Sequence, residues 1–123
     1  MFIIIGFSCS SDKFDCKSIK TGAFKYNAKG WEQQCIIERN DSVQFEKLIN
    51  SGMTVKTKVT WLDDCSYELK FISINVPVPD SILTRLRNTK TSVKIIKVGR
   101  DYYITKGVYD NGTIIDTFMR IQN

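Results

Sequence analysis

The chain has 123 residues, of which 42% are hydrophobic and 25% charged; this composition suits one globular domain and excludes disordered and fibrous classes. The net charge is +5, but the basic residues are spread along the chain, which favours a solvated surface over a polyanion site. Histidine is absent, so the usual general base and the commonest zinc ligand are missing. We therefore expect a non-enzymatic protein without a metal or cofactor.

The first segment in chain order is an apolar run, Phe2–Phe7, that stops at Ser8-Cys9. It is too short to span a bilayer, which needs about 20 residues. Gly6-Phe7-Ser8-Cys9 resembles a bacterial lipobox, in which the cysteine becomes lipidated and N-terminal, although Phe7 departs from the small residue usual there. We expect residues 1–8 to be the remnant of a lipoprotein signal peptide, Cys9 to carry the lipid, and residues 9–15 to be a flexible tether.

This interpretation of the N-terminus places the protein in the cell envelope as an outer-membrane lipoprotein, on the periplasmic or the surface side. Acyl chains on Cys9 would anchor it, with each buried CH₂ contributing about 0.8 kcal/mol. It also implies that Met1 is not the true start. The alternative is that Ile3–Ile5 forms an ordinary first strand and that Cys9 is a free thiol.

The remaining cysteines are Cys16, Cys35 and Cys65, and they allow three pairings. Export implies an oxidising compartment, in which disulfides form. Cys16 opens the folded region and Cys65 begins a strong strand after a turn, so we favour a Cys16–Cys65 disulfide, which would stabilise the fold by about 4 kcal/mol. Cys35 lies in an apolar run and is interpreted as a buried thiol. No two cysteines have the CxxC spacing of a metal site.

From Cys16 onward the hydrophobic pattern is typical of β-strands. Alternate positions from Met53 to Trp61 are mostly apolar, and those from Cys65 to Phe71 repeat the pattern. Period-two alternation around the turn Leu62-Asp63-Asp64 predicts an antiparallel hairpin. Weaker patterns predict six further strands, in TGAFKYN, QCIIER, SVQFEKLI, TSVKIIKV, DYYITKGVY and TIIDTFMRI.

The segment VPVPD at positions 76–80 interrupts the strands, because its prolines lack ladder donors. Asp80 is positioned to cap a short helix near residues 80–88, with Ile82, Leu83 and Leu86 on one face. We expect this helix to cover one end of the sheet.

The fold class is therefore all-β. About eight short strands with short connections make an antiparallel up-and-down meander, and residues 16–123 form one domain. Closure of eight strands removes exposed edges and leaves room for side chains or one small ligand, as in a lipocalin-like barrel. A five-stranded Greek-key barrel and an open sandwich are the alternatives.

Three motifs in this order carry a family resemblance: CKSIKTGAFKY from Cys16, ERNDSVQFE from Glu38 and VTWLDDCSYEL from Val59. They resemble a family of small, uncharacterised exported proteins and lipoproteins of Bacteroidetes such as flavobacteria. The resemblance covers about residues 16–70, implies export, and is consistent with the proposed disulfide. The DNA topoisomerase label of some members does not fit, because 123 residues cannot hold a DNA gate and an ATPase together.

Five aromatic residues are candidates either for a ligand pocket or for the core: Phe24, Phe45, Trp61, Tyr67 and Phe71. An apolar pocket needs such side chains, but in a small domain they more often fill the interior. We favour the core.

Polar candidates also have two interpretations each. The carboxylates of Asp63 and Asp64 would bind a metal or share a proton. Alternatively, they are simply hydrated side chains of an exposed turn, and we favour this second interpretation. Arg39 would hold an anionic ligand, or pair with a carboxylate across the barrel, which we favour. Tyr102 and Tyr103, near basic residues, resemble a single-strand-binding surface, but alternation lets only one of them point outward.

We therefore expect a monomeric, lipid-anchored binding module whose partner is a small apolar ligand or an envelope protein. The alternative is a nucleic-acid-binding, OB-like barrel, although nucleic acid is not the partner we favour. An enzyme that uses paired carboxylates instead of histidine is the least favoured hypothesis.

Overall fold

The structure is a computed structural model that describes residues 15–27, 34–109 and 112–121. The expectations for the signal remnant 1–8, for Cys9 and for nearly all of the tether lie outside the described residues. The described residues, apart from Asp15, belong to the predicted domain 16–123.

Eight strands and two helical segments follow one another in the described part of the chain. The strands are β1 (Gly22–Asn27), β2 (Gln34–Arg39), β3 (Val43–Leu48), β4 (Thr54–Asp63), β5 (Ser66–Ile74), β6 (Lys90–Val98), β7 (Tyr102–Tyr109) and β8 (Gly112–Arg120). A 3₁₀ turn (Cys16–Ile19) precedes β1, and helix α1 (Asp80–Asn88) connects β5 to β6. The predicted strands and the helix near residues 80–88 are confirmed.

Each strand pairs antiparallel with its neighbour in sequence, and β8 returns to β1, so the sheet is a closed barrel. This confirms the up-and-down meander and excludes the Greek-key and sandwich alternatives. Among the described residues, the seam between β1 and β8 is the shortest ladder, with the two pairs Phe24–Arg120 and Lys25–Met119.

An aromatic core fills the middle of the barrel, because alternate residues of each strand point inward. Phe24 and Tyr103 are both 0% exposed and meet edge to face with ring centroids 5.0 Å apart. Tyr103 stacks on Phe118 at 4.8 Å. Smaller apolar side chains complete this core: Ile37, Val59, Val93 and Ile95.

One end of the barrel, here called the closed end, is covered by the 3₁₀ turn. Cys16 and Ile19 of that turn are buried, and a Cys16–Cys65 disulfide with a Cα–Cα distance of 5.3 Å ties it to the turn between β4 and β5. The predicted disulfide is confirmed. Cys35, as predicted, is a buried thiol outside this bridge.

The opposite end, here called the open end, carries the β3–β4 connection and α1. The helix begins after Pro79, and Asp80 lies in its first turn without a side-chain capping hydrogen bond, so the predicted Asp80 cap is wrong. A carboxylate in the first turn still interacts favourably with the helix dipole. No residue of α1 is buried. Among the described residues, no helix has the length and apolarity needed to cross a bilayer.

Candidate ligand-binding site

A cavity of about 470 Å³ opens at the open end of the barrel. Its apolar walls come from β3, the β3–β4 connection, β4, α1 and β8, through the side chains of Leu48, Met53, Val55, Leu86 and Ile114. Sites for small molecules typically enclose 300–1,000 Å³ and are mostly apolar with a few polar groups. The cavity therefore has the size and lining of a small-molecule site.

The polar side of the cavity centres on a contact between Tyr26 and Glu46. Both residues line the cavity, and the Tyr26 hydroxyl donates a hydrogen bond to the Glu46 carboxylate across the barrel. Tyr26 points inward because it shares a face with buried Phe24. Glu46 points inward because it lies between buried Gln44 and Leu48 on the alternating face of β3.

The surroundings of Glu46 disfavour its charged form. Burial raises the pKa of the Glu46 carboxyl, the Tyr26 hydrogen bond works in the opposite direction, and the nearby Asp116 charge raises the pKa further. Burial and the Glu46 charge both raise the pKa of Tyr26. The phenol therefore stays protonated at neutral pH and can act as the donor in this contact.

Two smaller spaces share lining residues with this cavity. A deeper cavity of about 50 Å³ continues toward Tyr67 and Thr105. A groove of about 440 Å³ follows the seam between β1 and β8 and is lined by Lys25 and Thr117, among others. Tyr26 and Asp116 border all three spaces. These two residues therefore lie where the inside of the barrel meets the seam.

A second polar cluster surrounds Arg39, which is 4% exposed near the closed end. Its Nε donates to Gln44 Oε1 at 2.9 Å and its Nη1 to the Ile19 carbonyl at 2.8 Å. Its Nη2 donates to the Tyr103 hydroxyl at 2.7 Å and to the Tyr67 hydroxyl at 3.4 Å. These acceptors are all uncharged groups, so the expected carboxylate partner is wrong.

The aromatic rings around Arg39 complete its environment. The guanidinium carbon lies 5.0 Å from the Tyr67 ring centroid and 5.3 Å from that of Phe24, within the range of cation–π attraction. Burial opposes the charged form, but Tyr67 and Tyr103 outweigh it and raise the pKa of Arg39. The cluster thus fixes β2 to β5, β7 and the 3₁₀ turn, and four of the five N–H donors of Arg39 are used in it.

The five aromatic candidates are not all brought together. Phe24 and Tyr67 are core residues, and Trp61 packs against that core with its ring 4.7 Å from Tyr67. Phe45 lies on the outer face of β3, where Lys56 Nζ sits 5.7 Å from its ring. Phe71 is half-buried beside Thr57. Tyr67 borders the deeper cavity, and none of the five lines the cavity at the open end.

The two adjacent aspartates are exposed: Asp63 is the last residue of β4, and Asp64 begins the turn that follows. The turn is therefore Asp64-Cys65 and not the predicted Leu62-Asp63-Asp64, because β4 continues to Asp63. Asp63 Oδ1 accepts a hydrogen bond from the Cys65 amide at 2.8 Å, while Asp64 lies 3.3 Å from Lys20 Nζ. Across the part of the chain that the structure describes, no three His, Cys, Asp or Glu side chains are grouped to hold a metal ion.

The tyrosine pair divides between the two faces of β7. Tyr103 is inside the core, and Tyr102 is half-buried with Lys97 Nζ 5.8 Å from its ring. Only Tyr102 therefore remains available for a surface of aromatic and basic residues.

Glu46 and Asp116 were missed as site residues. In SVQFEKLI, Val43 and Phe45 make one face look apolar, so the other face, with Gln44 and Glu46, looks solvent-exposed. Within this segment, only Leu48, which shares a face with Gln44 and Glu46, indicates that this face points inward.

Comparison of the chain with protein-family models, curated proteins and solved structures finds no match.

Proposed function

We propose that this protein is a lipid-anchored protein of the cell envelope whose barrel binds a small apolar ligand in the cavity at the open end. The observation that supports ligand binding is the cavity of about 470 Å³ with walls of Leu48, Met53, Val55, Leu86 and Ile114. Apolar walls of this kind lose water when a hydrophobic ligand enters, at about 25 cal/mol per Å² of buried apolar surface.

Helix α1 favours a site that admits and releases a ligand. Leu86 reaches the cavity, but no residue of the helix is buried. Few buried contacts imply a low cost of local opening. The helix can therefore move away from the cavity while the barrel stays folded.

The nucleic-acid alternative has less support. It rested on the net charge of +5 and on Tyr102 and Tyr103, and Tyr103 lies in the core with 0% exposure. Tyr102, which is half-buried, cannot by itself provide the successive stacking platforms that single-strand binders use.

Saturable binding of the neutral probe N-phenyl-1-naphthylamine, followed by its fluorescence, tests the ligand site. We expect the full chain to bind it and Met53→Trp, which fills the cavity, to abolish binding. Leu62→Trp is the matched control, because Leu62 is exposed at the closed end, and it should bind like the unmodified protein. Circular dichroism checks that both variants fold. No saturable binding, or equal binding by Met53→Trp, would contradict the proposal.

Anchoring is tested separately in the native host. Metabolic labelling with an alkyne fatty acid should mark the protein, and Cys9→Ala should remove the label while Cys35→Ala keeps it. A native polypeptide that retains Met1 and takes up no label would contradict the lipid anchor.

A further inference from the structure

The cavity at the open end has one chemical asymmetry, a carboxylate set among apolar walls. Glu46 lies between the walls of Leu48 and Val55 and the deeper space toward Tyr67. A ligand that fills the apolar part would bring its polar end against Glu46 and Tyr26. The cavity therefore distinguishes ligands by their head groups as well as by their hydrophobicity.

We infer that the ligand is an amphiphile with a cationic nitrogen head, such as a primary alkylammonium, whose head contacts the Glu46 carboxylate and whose chain lies against the apolar walls under α1. This inference rests on the proposed function, since it names the class of ligand for the same cavity.

Glu46 retains capacity for such a head group. A carboxylate offers about four acceptor positions, and Tyr26 donates to one oxygen. Within residues 15–27, 34–109 and 112–121, Glu46 makes no ion pair. An ammonium group placed there would favour the charged form of Glu46, which burial alone disfavours. It would then make charge-assisted hydrogen bonds, which are stronger than neutral ones.

Arg39, the buried arginine, does not contribute its charge to the open end of the barrel. The four acceptors of Arg39 are Gln44, Tyr67, Tyr103 and the Ile19 carbonyl. These four hydrogen bonds are all made toward the closed end of the barrel. An anionic head at the open end would lie against Glu46, whose charged form would repel it.

Three ligands of equal chain length test the head group: octylammonium, octanol and octanoate, each measured by displacement of N-phenyl-1-naphthylamine from the full chain at neutral pH. We expect octylammonium to bind about ten- to a hundredfold more tightly than octanol, as a hydrogen bond to a charged group predicts. Octanoate should bind most weakly.

Glu46→Gln is the decisive variant, because glutamine keeps an acceptor for Tyr26 and removes the charge. It should bring the affinity for octylammonium down to that for octanol while leaving octanol binding intact. Glu38→Gln is the matched control, since Glu38 lies on the outer face, paired with Lys47 at 2.9 Å, and should keep the preference.

The outcomes separate this inference from the proposed function. Equal binding of octanol and octylammonium, a preference for octanoate, or a preference that survives Glu46→Gln overturns the inference while the apolar site stands. Failure of N-phenyl-1-naphthylamine itself to bind contradicts the apolar site and the inference together.

Discussion

Arg39 and Tyr103 lie 64 residues apart in the chain, and Arg39 Nη2 donates a hydrogen bond of 2.7 Å to the Tyr103 hydroxyl inside the barrel. Tyr103 in turn packs edge to face on Phe24 and stacks on Phe118. The Tyr103 side chain thus joins the polar cluster of the closed end to the aromatic core. Its hydrogen bond from Arg39 also links strand β7 to strand β2.

Arg39→Ala should lower the free energy of unfolding by about 3–5 kcal/mol, because it leaves a void and strands the buried acceptors of Gln44 and Tyr103. Urea denaturation measures this. Arg87→Ala, at an exposed position of α1, is the control and should change stability by no more than about 0.5 kcal/mol. A loss below about 1 kcal/mol for Arg39→Ala would contradict a structural role for the cluster.

Replacing both Cys16 and Cys65 by serine should cost about 4 kcal/mol, since the bridge closes a loop between residues 49 positions apart. A reductant should have the same effect on the unmodified protein and none on the double variant. Thermal unfolding with and without reductant compares them. A transition of the unmodified protein that ignores the reductant would show that the bridge does not stabilise the fold.

The stability of the fold should depend on pH through the titration of Glu46. Its pKa in the folded protein lies above the ordinary 4.5, mainly because of burial, so the folded state binds this proton more tightly than the unfolded state does. The stability it contributes is fully present below pH 4.5 and is lost as the pH rises through the folded pKa.

Glu46→Gln should therefore be more stable than the unmodified protein at pH 8, with the difference shrinking toward pH 4. Tyr26→Phe should act in the opposite direction at pH 8, because it removes the hydrogen bond that favours the carboxylate. Denaturation midpoints across this pH range test both. A Glu46→Gln difference that does not vary with pH would contradict the raised pKa.

Leu86→Ala should separate ligand binding from stability. Leu86 lines the cavity but is only half-buried on a helix without buried residues, so we expect a stability loss below about 1 kcal/mol. Affinity for N-phenyl-1-naphthylamine should fall about three- to fivefold, corresponding to about 1 kcal/mol. Ile37→Ala in the core is the contrast, with an expected loss of about 2–5 kcal/mol. Unchanged probe affinity for Leu86→Ala would mean that α1 takes no part in the site.

The barrel could be predicted because most of its strands alternate between a buried and a solvent-exposed face and are joined by tight turns. The hairpin of β4 and β5 follows from alternation that runs from Met53 to Phe71, and the disulfide from the position of Cys65 after its turn. These are local patterns. Sequential pairing then follows from the short connections.

The site was not predictable in the same way, because its residues come from different strands. In β3 the inward face is the polar one, and what makes this favourable lies on other strands: Arg39 of β2 bonds Gln44, and Tyr26 of β1 bonds Glu46. Period-two alternation shows that two faces differ but not which of them faces in, when both carry apolar residues.

The most direct test of the ligand site is an NMR titration of the ¹⁵N-labelled full chain with octylammonium. We expect saturable shifts at Glu46, Leu48, Val55 and Leu86, with Arg39 and Tyr103 unchanged. Shifts confined to the outer face around Phe45 and Ile115, or shifts that grow linearly without saturation, would contradict a binding site inside the barrel.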